Sequence, residues 1–393
     1  MTNSRIVATT TEGDFVLQSQ NLATRQGFGN VSQTWIEKTH TIDDALFKQE
    51  RGREQTEDLY VPLSRIDPTV TKNGRFCLEF EDGRHVFPDK HAVRQLGTIL
   101  GTGTTYPIEL FKNTFPEDAE ALAYAFEHAL SKQDQEKRYR FRIRDSRSLR
   151  GVTPENSEWV RNEWYLKVVK KALPGGRISH SRGDIDTIWA NVLIPDTIRA
   201  EEDSDYGAML SLSNCEIGKR RLMQRPSLFR AICMNGCIWG QTKGEQFVHH
   251  RRGSIDLQDL EKKIVENIRR QVPIAVSAVN RLLQTRSLTT DVAMKPVLAQ
   301  VSKDFKITKP MATALLEAWN TERKQTAERS NSLFSVVNSF TRAGQKFDNA
   351  TWVKYDEIGG KLVNYKASDW ESLTSRSATL KSKDVDNAFT LVV

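Results

Sequence analysis

The sequence has few cysteines and no long apolar run. Four cysteines in 393 residues do not make a disulfide framework, and we expect them to be reduced. The chain has no apolar run of about 18 residues, the length that a membrane-spanning helix needs. Its first residues, MTNSRIVATTTEGDF, lack the apolar core of a signal peptide. These absences predict a cytoplasmic protein without a membrane partner.

Familiar catalytic motifs are also missing. The sequence contains no GxxxxGK[ST] phosphate loop, no HExxH and no GxSxG. We therefore name no catalytic residue, no metal and no cofactor, and an enzyme is the least favoured class.

Two groups of potential metal ligands leave alternatives open. Cys215, Cys233, Cys237, His249 and His250 lie close together in the sequence. They lack the two closely spaced ligand pairs typical of zinc sites, so we favour cysteines buried in a core over a zinc site.

Another group, Asp184 with Asp186, has the carboxylates that magnesium prefers but no identifiable third one. For these two acids we favour capping or solvation over a metal nuclease.

Positive charge is what the chain has in excess. Its 57 Lys and Arg residues against 50 acidic residues give a net charge of +7, which suits a polyanionic partner without requiring one. Hydrophobic residues at 38% indicate a folded chain, and the length predicts more than one structural unit.

Local patterns predict an α+β fold: a mainly antiparallel sheet with flanking helices, followed by a helical C-terminal region. Two turn signals, Asn73-Gly74 and Asp82-Gly83, indicate a hairpin. Helical patterns follow from Pro88 to Gly101 and from 116 to 133, an arrangement compatible with a helix-turn-helix but typical of ordinary packing. Residues 153–173 predict a helix with Thr153 as N-cap.

The same patterns divide the chain into four parts. Residues 1–58 form a polar N-terminal arm, and residues 59–254 an α+β core domain with basic strands. Residues 255–347 are helical, with Pro273 marking a kink or a break. Residues 348–393 form a C-terminal tail whose interleaved aromatic and basic residues either anchor it to the body or stack on bases.

An alternating cationic segment stands out within the core domain. Arg138, Arg140, Arg142 and Arg144 alternate with apolar Tyr139, Phe141 and Ile143, which predicts a strand with one cationic face. Two interpretations remain open. The face is either the solvated side of an edge strand, where charge prevents aggregation, or a surface that binds phosphates.

The densest stretch of the sequence runs from residue 206 to residue 253. A strand pattern ends in the turn Asn214–Gly218, and a basic cluster, Lys219–Arg221, follows at once. An apolar run comes next, and Arg251 and Arg252 form a second basic cluster. Arg230 lies in an apolar context, where a charge is either paired or faces a site.

Motifs in this stretch carry a resemblance to a known family. SNCEIG, LMQRPSLFRAICMNGCIWG and VHHRRGSI resemble the phage-, prophage- and plasmid-encoded family catalogued as domain of unknown function 932. The corresponding positions are Phe229, Arg230, Cys233, Asn235 and Gly236. Similarity to the family's helical segments in HAVRQLGTILG, TYPIELF and NSLFSVVNSFTRAGQ extends the resemblance over residues 60–345, and it is most specific between 206 and 255.

The resemblance implies a mobile-element protein of recombination, replication or host interference. By analogy alone, it is compatible with single-strand annealing proteins, which combine basic strands with flanking helices and assemble into rings or filaments.

The leading hypothesis is therefore a phage or mobile-element protein that binds or anneals single-stranded DNA as a homo-oligomer in the host cytoplasm. The alternative is a self-assembling structural or host-interaction protein without nucleic-acid activity. The predicted nucleic-acid contacts are Arg138, Arg140, Arg142, Arg144, Lys219, Arg220, Arg221, Arg230, Arg251 and Arg252, with Tyr206, Phe229 and Trp239 as stacking candidates. The hypothesis requires the three basic segments to lie on one groove.

Overall fold

The computed structural model describes residues 39–389 except 114, 158, 183–184, 201–204, 231–234, 239–246, 250–254, 326–330, 345 and 348. None of the helices within these residues is long and apolar enough to cross a membrane.

A six-stranded sheet with helices on one face forms the N-terminal unit. The order of its strands is β2-β6-β7-β5-β4-β3, antiparallel except for the β5–β7 pair. Phe126 and Phe141 lie in the core between this sheet and the helices α2 to α4. The elements up to β7 are β1 (His40–Thr41), α1 (Ile42–Arg53), β2 (Thr56–Pro62), β3 (Ile66–Val70), β4 (Phe76–Phe80), β5 (His85–Pro88), α2 (Lys90–Ile99), α3 (Thr105–Lys112), α4 (Pro116–Leu130), β6 (Arg138–Arg144) and β7 (Ser148–Pro154).

A second sheet forms the central unit. Its order is β1-β8-β9-β11-β12-β13, with β10 paired to β11 and β14 paired to β12. The core on one face joins side chains of β8, β9, β11 and β12 to α1, α5 and α6. The elements are α5 (Asn162–Ala172), β8 (Arg177–Arg182), β9 (Thr187–Leu193), β10 (Arg199–Ala200), β11 (Asp205–Cys215), β12 (Leu222–Arg230), β13 (Asn235–Ile238), β14 (Phe247–His249) and α6 (Leu257–Gln284).

Helices form the C-terminal unit, so the predicted α+β fold class with a helical C-terminal region is confirmed. In the central helix α9, all residues except Arg342 are buried. The remaining elements are α7 (Met294–Asp304), α8 (Lys309–Gln325), α9 (Leu333–Gly344), α10 (Asn349–Val363), α11 (Ala367–Ala378) and α12 (Ser382–Asn387).

The predicted start of the helix over 153–173 is wrong, and the break considered at Pro273 is excluded. Residues 148–154 form β7 instead of a helix opening, because Leu149 and Val152 are buried in the N-terminal core and the backbone pairs with β6. The helix begins only at Asn162. Pro273 does not break α6, although it cannot donate a hydrogen bond to the carbonyl of Arg269. The buried apolar side of α6 continues past the proline to Ala275 and stabilises the whole helix.

The two ends of the described chain pack more closely than an arm and a tail. In α1, a capping box between Thr41 and Asp44 fixes the first turn, and Ile42 and Leu46 lie in the core of the central unit. At the other end, Trp352 and Trp370 are buried in the C-terminal unit, so anchoring describes these two aromatic rings better than base stacking.

The turn between β11 and β12 connects the two sheets. Its Ile217 is fully buried against Gly151 of β7, where a Cβ atom would lie only 2.8 Å from the Cβ of Ile217. The carbonyl of Ile217 accepts hydrogen bonds from Gln95 Nε2 at 3.0 Å and from His91 Nε2 at 2.8 Å. Burial lowers the pKa of His91 below 6.5, and Nε2 must carry the proton because a carbonyl only accepts.

We predict that Ile217→Ala lowers the free energy of unfolding by about 2 to 4 kcal/mol, since it leaves a cavity at this contact. Leu257→Ala is the control, because Leu257 is an exposed aliphatic side chain whose truncation should change stability by no more than about 0.5 kcal/mol. Chemical denaturation of both variants measures the difference. Equal stabilities would show that Ile217 does not hold the sheets together.

Candidate nucleic-acid interface

The cationic strand is present as predicted, but it lies inside a sheet. Tyr139, Phe141 and Ile143 point into the N-terminal core, and the arginines occupy the other face of β6. Strands β2 and β7 pair with β6 on its two sides. The interpretation as a solvated edge strand is therefore wrong.

Arg140 and Arg142 are buried beside a carboxylate. They are only 6% and 8% exposed. Asp58 of β2 accepts two hydrogen bonds from Arg142, at 2.8 and 3.0 Å, and lies 3.1 Å from Arg140 Nε. The ring of Trp159 lies 4.2 Å from the Arg140 guanidinium carbon and adds a cation–π contact.

The ion pairs continue from β6 into the second sheet. Arg142 also contacts Glu216 of the β11–β12 turn and lies 3.7 Å from Asp186. Arg150 of β7 bridges Asp186 at 3.0 Å and Asp89 at 3.1 Å. We call this set the inter-sheet ion network; its members are Asp58, Asp89, Arg140, Arg142, Arg150, Asp186 and Glu216.

Electrostatics keep Asp58 and Arg142 ionised. Burial by itself raises the pKa of Asp58, but hydrogen bonds and charge from Arg142 and Arg140 outweigh it, so the pKa lies below 3.8. Burial by itself lowers the pKa of Arg142, but Asp58 and Glu216 raise it above its ordinary value. Burial and the Arg142 charge lower the pKa of Arg140. A buried charge costs little free energy only while its partners remain.

This arrangement corrects the prediction of phosphate contacts at Arg140 and Arg142. Their guanidinium groups are buried beside carboxylates and an aromatic ring, so they do not present a free cationic surface. At the ends of β6, Arg138 is about half exposed and bonds Glu155 and the carbonyl of Tyr60. Arg144 is 30% exposed, and its Nε has no hydrogen-bond partner among the described residues.

The basic cluster after the turn is accessible in part. Lys219 pairs with Asp89 at 3.1 Å, which attaches the cluster to the inter-sheet ion network. The guanidinium of Arg220 lies 4.7 Å from the ring centroid of Trp189, a partly buried residue of β9. Arg220 is partly exposed and Arg221 is exposed, so their phosphate contacts stay a prediction.

Other predicted positions are buried or lie outside the described residues. Tyr206 is fully buried and packs on Phe334, so its ring is closed to a base, which corrects that stacking assignment. Trp239, Arg251 and Arg252 are outside the described residues, and only the backbone of Phe229 and Arg230, in β12, is described.

The ligand sets proposed for metals are only partly described. Cys215 is buried and accepts a hydrogen bond from Thr187 Oγ1 at 3.2 Å. Cys233 and His250 lie outside the described residues, as do the side chains of Cys237 and His249. Asp186 bonds Arg150, and Asp184 is not described. Within the described part of the chain, no three potential ligands cluster around a metal position.

A cationic cleft adjoins the exposed part of the interface. It has a volume of about 340 Å³ and lies between α1 and the β8–β9 strands. Among its described lining residues, Lys48 and Arg144 carry the only charges, and Trp189, whose ring contacts Arg220, is another lining residue. The full lining is Ala45, Lys48, Gln49, Arg144, Leu166, Ile178, Ser181, Ile185, Thr187, Ile188, Trp189 and Ala190.

Sequence reasoning missed Lys48 and Trp189. The alternating pattern of β9, TIWANVL, could have indicated that Trp189 points away from the core. Ile188, Ala190 and Val192 face the core, which leaves Trp189 on the opposite side of the strand. Lys48 has no comparable signal, since only the packing of α1 against the central sheet brings it to the cleft.

Comparison with known proteins adds no relative: no family model, curated protein or solved structure matches this chain.

We predict that Asp58→Asn lowers the free energy of unfolding by about 3 to 5 kcal/mol, because it leaves two buried arginines without this carboxylate. Glu155→Gln is the matched control: it removes the exposed partner of Arg138 and should cost no more than about 1 kcal/mol. Denaturation at neutral pH gives both values, and similar losses in the two variants would contradict a structural role for the network.

The pH dependence should change with the same substitution. Since the folded-state pKa of Asp58 is lowered, its contribution is present above the unfolded-state pKa and disappears as pH falls through the folded value. Wild-type stability should therefore fall more steeply than that of Asp58→Asn below about pH 4, near the ordinary Asp pKa.

Proposed function

We propose that the protein binds single-stranded nucleic acid, preferably DNA, at the surface formed by Arg220, Arg221 and Trp189 beside the cationic cleft. The observation that carries the proposal is the Arg220 guanidinium over the ring of Trp189, next to a cleft whose described charged residues are Lys48 and Arg144. Sequence-tolerant binding of single strands combines phosphate-binding cations with aromatic rings on which bases stack.

The charge distribution supports the same proposal. Arg140 and Arg142 are compensated by carboxylates inside the protein, whereas Arg220 and Arg221 have no ion pair with a described residue. Cations without carboxylate partners attract phosphates, and binding that neutralises several phosphates weakens steeply with salt. A mobile-element setting, in which annealing during recombination or replication is a suitable role, belongs to the same proposal.

We predict that the double variant Arg220→Glu, Arg221→Glu weakens binding to a single-stranded oligonucleotide by about tenfold or more at low salt and reduces the salt dependence. Trp189→Ala should cost about 1 to 3 kcal/mol of binding free energy through lost stacking, and Trp189→Phe should restore part of it. Fluorescence anisotropy over a salt series, with a duplex for comparison, measures these changes.

The matched control is Lys381→Glu, Lys383→Glu. It makes the same change in net charge at two exposed lysines at the start of α12, in the C-terminal unit. Equal weakening in the two double variants would reveal a general charge effect and contradict the proposed surface. Thermal melts verify that each variant is folded.

Self-assembly is the second candidate function, and an aromatic helical face favours it. Of the six large hydrophobic side chains exposed in the described residues, Tyr106, Phe115 and Tyr124 belong to the α3–α4 region at 56%, 66% and 70% exposure. Exposed aromatic groups of this kind are typical of interaction surfaces.

A second copy of the chain is the occupant that the charges favour. The aromatic face also carries the exposed acids Glu109, Glu117, Glu120 and Glu127, although the chain as a whole has a net charge of +7. The remaining surface of another copy is therefore cationic on balance and complements this face.

We predict that Phe115→Ser, Tyr124→Ser shifts the protein from oligomer to monomer, whereas Tyr60→Ser, at an exposed position of β2, does not. Light scattering over a concentration series, with and without oligonucleotide, determines the mass. A wild-type protein that stays monomeric at every concentration would contradict assembly through this face.

A further inference from the structure

We infer that the cationic cleft between α1 and β8–β9 binds one nucleotide unit, with the phosphate between Lys48 and Arg144 and the base against the apolar wall. This inference rests on the proposed function and specifies its ligand. A nucleotide of a bound strand and a free mononucleotide offer the same chemistry, and the experiment below distinguishes them.

The size and walls of the cleft set the kind of ligand. Its volume of about 340 Å³ lies at the lower end of the range for small-molecule pockets, about 300 to 1,000 Å³. Leu166, Ile178, Ile188 and Ala190 give it an apolar wall. A compact ligand with a flat, partly apolar body fits these walls better than an extended chain.

The charges select an anion. Lys48 and Arg144 line the cleft, and none of its described lining residues is a carboxylate. Arg144 Nε is buried and has no hydrogen-bond partner in the described part of the chain. Its nearest described carboxylate, on the 60% exposed Asp145, lies 3.5 Å away. Burying a donor without a partner costs free energy, which an anionic oxygen in the cleft recovers.

Polar groups along the rim match the edge of a base. Gln49 Oε1 accepts a weak hydrogen bond from Asn162 at 3.4 Å, and Gln49, which carries an amide NH₂ donor, lines the cleft. Ser181 adds a hydroxyl at an exposed position. A fatty acid offers an anion and an apolar body but nothing to bond these groups, whereas a nucleobase carries both acceptors and donors at its edge.

The position of the cleft connects it to a bound strand. Trp189 is a lining residue of the cleft, and its ring contacts Arg220 on the face of β9 opposite to Ile188 and Ala190. A strand held at Arg220 therefore supplies the cleft only with a nucleotide turned out of the strand, as happens in proteins that bind extruded bases.

The approach of α1 that closes the cleft depends on Gly52. A Cβ atom at this residue would lie 2.3 Å from Cγ1 of Ile185, another lining residue. Glycine therefore permits the close packing that places Lys48 and Gln49 on the cleft wall.

Calorimetric titration of the full chain with dTMP, thymidine and inorganic phosphate tests the inference. We expect dTMP to bind at least about tenfold more tightly than either part alone, because both the anion and the base contribute. Lys48→Gln, Arg144→Gln removes the charges at similar volume and should weaken dTMP binding about tenfold. Ser181→Phe obstructs the cleft without changing charge and should abolish binding, whereas Lys112→Gln should have no effect.

An oligonucleotide titration of the same variants identifies the source of the ligand. Weaker oligonucleotide binding in the two cleft variants, together with their loss of dTMP, supports a subsite for a strand. If the oligonucleotide binds the wild type and the cleft variants equally, the subsite is overturned while the proposed function stands. If dTMP binds but no oligonucleotide does, the proposed function fails and, with it, the strand subsite. If dTMP binds the wild type and both cleft variants equally, the cleft is not the site.

Discussion

The contact on which the inter-sheet ion network depends is the carboxylate of Asp58 between Arg140 and Arg142. The two arginines stand on one face of β6 and would repel each other without it, and the same Arg142 continues to Glu216 in the turn of the second sheet. Burial makes each of these charges expensive by itself and strengthens the attraction between them. The network therefore fixes the relative position of the units that carry the candidate interface.

The pairing of Arg140 and Arg142 with carboxylates inside the protein limits which cations are accessible to a ligand. The central arginines of the most regular basic pattern are paired inside the protein, and Arg144, Arg220 and Arg221 are the described cations that we propose to meet a polyanion. Arg220 contacts the ring of Trp189, while Arg144 and Lys48 both line the cleft. An interface of this kind combines a rigid support with a small accessible surface, which suits sequence-tolerant binding.

The periodicity of the sequence predicted much of the fold because it reports local geometry. Alternation over 138–144 predicted β6, and the capping residue Asp89 opens α2 as expected. The prediction failed at 153–161, where a helix-opening pattern was outweighed by the pairing of β7 with β6 and the burial of Leu149 and Val152. The candidate site was predicted less well: Arg220 and Arg221 are accessible, whereas Tyr206 and the two central arginines are buried.

The sequence by itself determined the fold class, the cationic face of β6 and the accessible basic turn, because each depends on residues close together in the chain. Only the tertiary structure decided that Asp58, Glu216 and Asp186 meet the arginines, and that Lys48 and Trp189 border one cleft with Arg144. These partners are far apart in sequence. The local periodicity of apolar and polar residues does not indicate which side chain of one sheet neutralises a charge on the other. Whether an arginine is structural or free to bind a phosphate depends on that pairing.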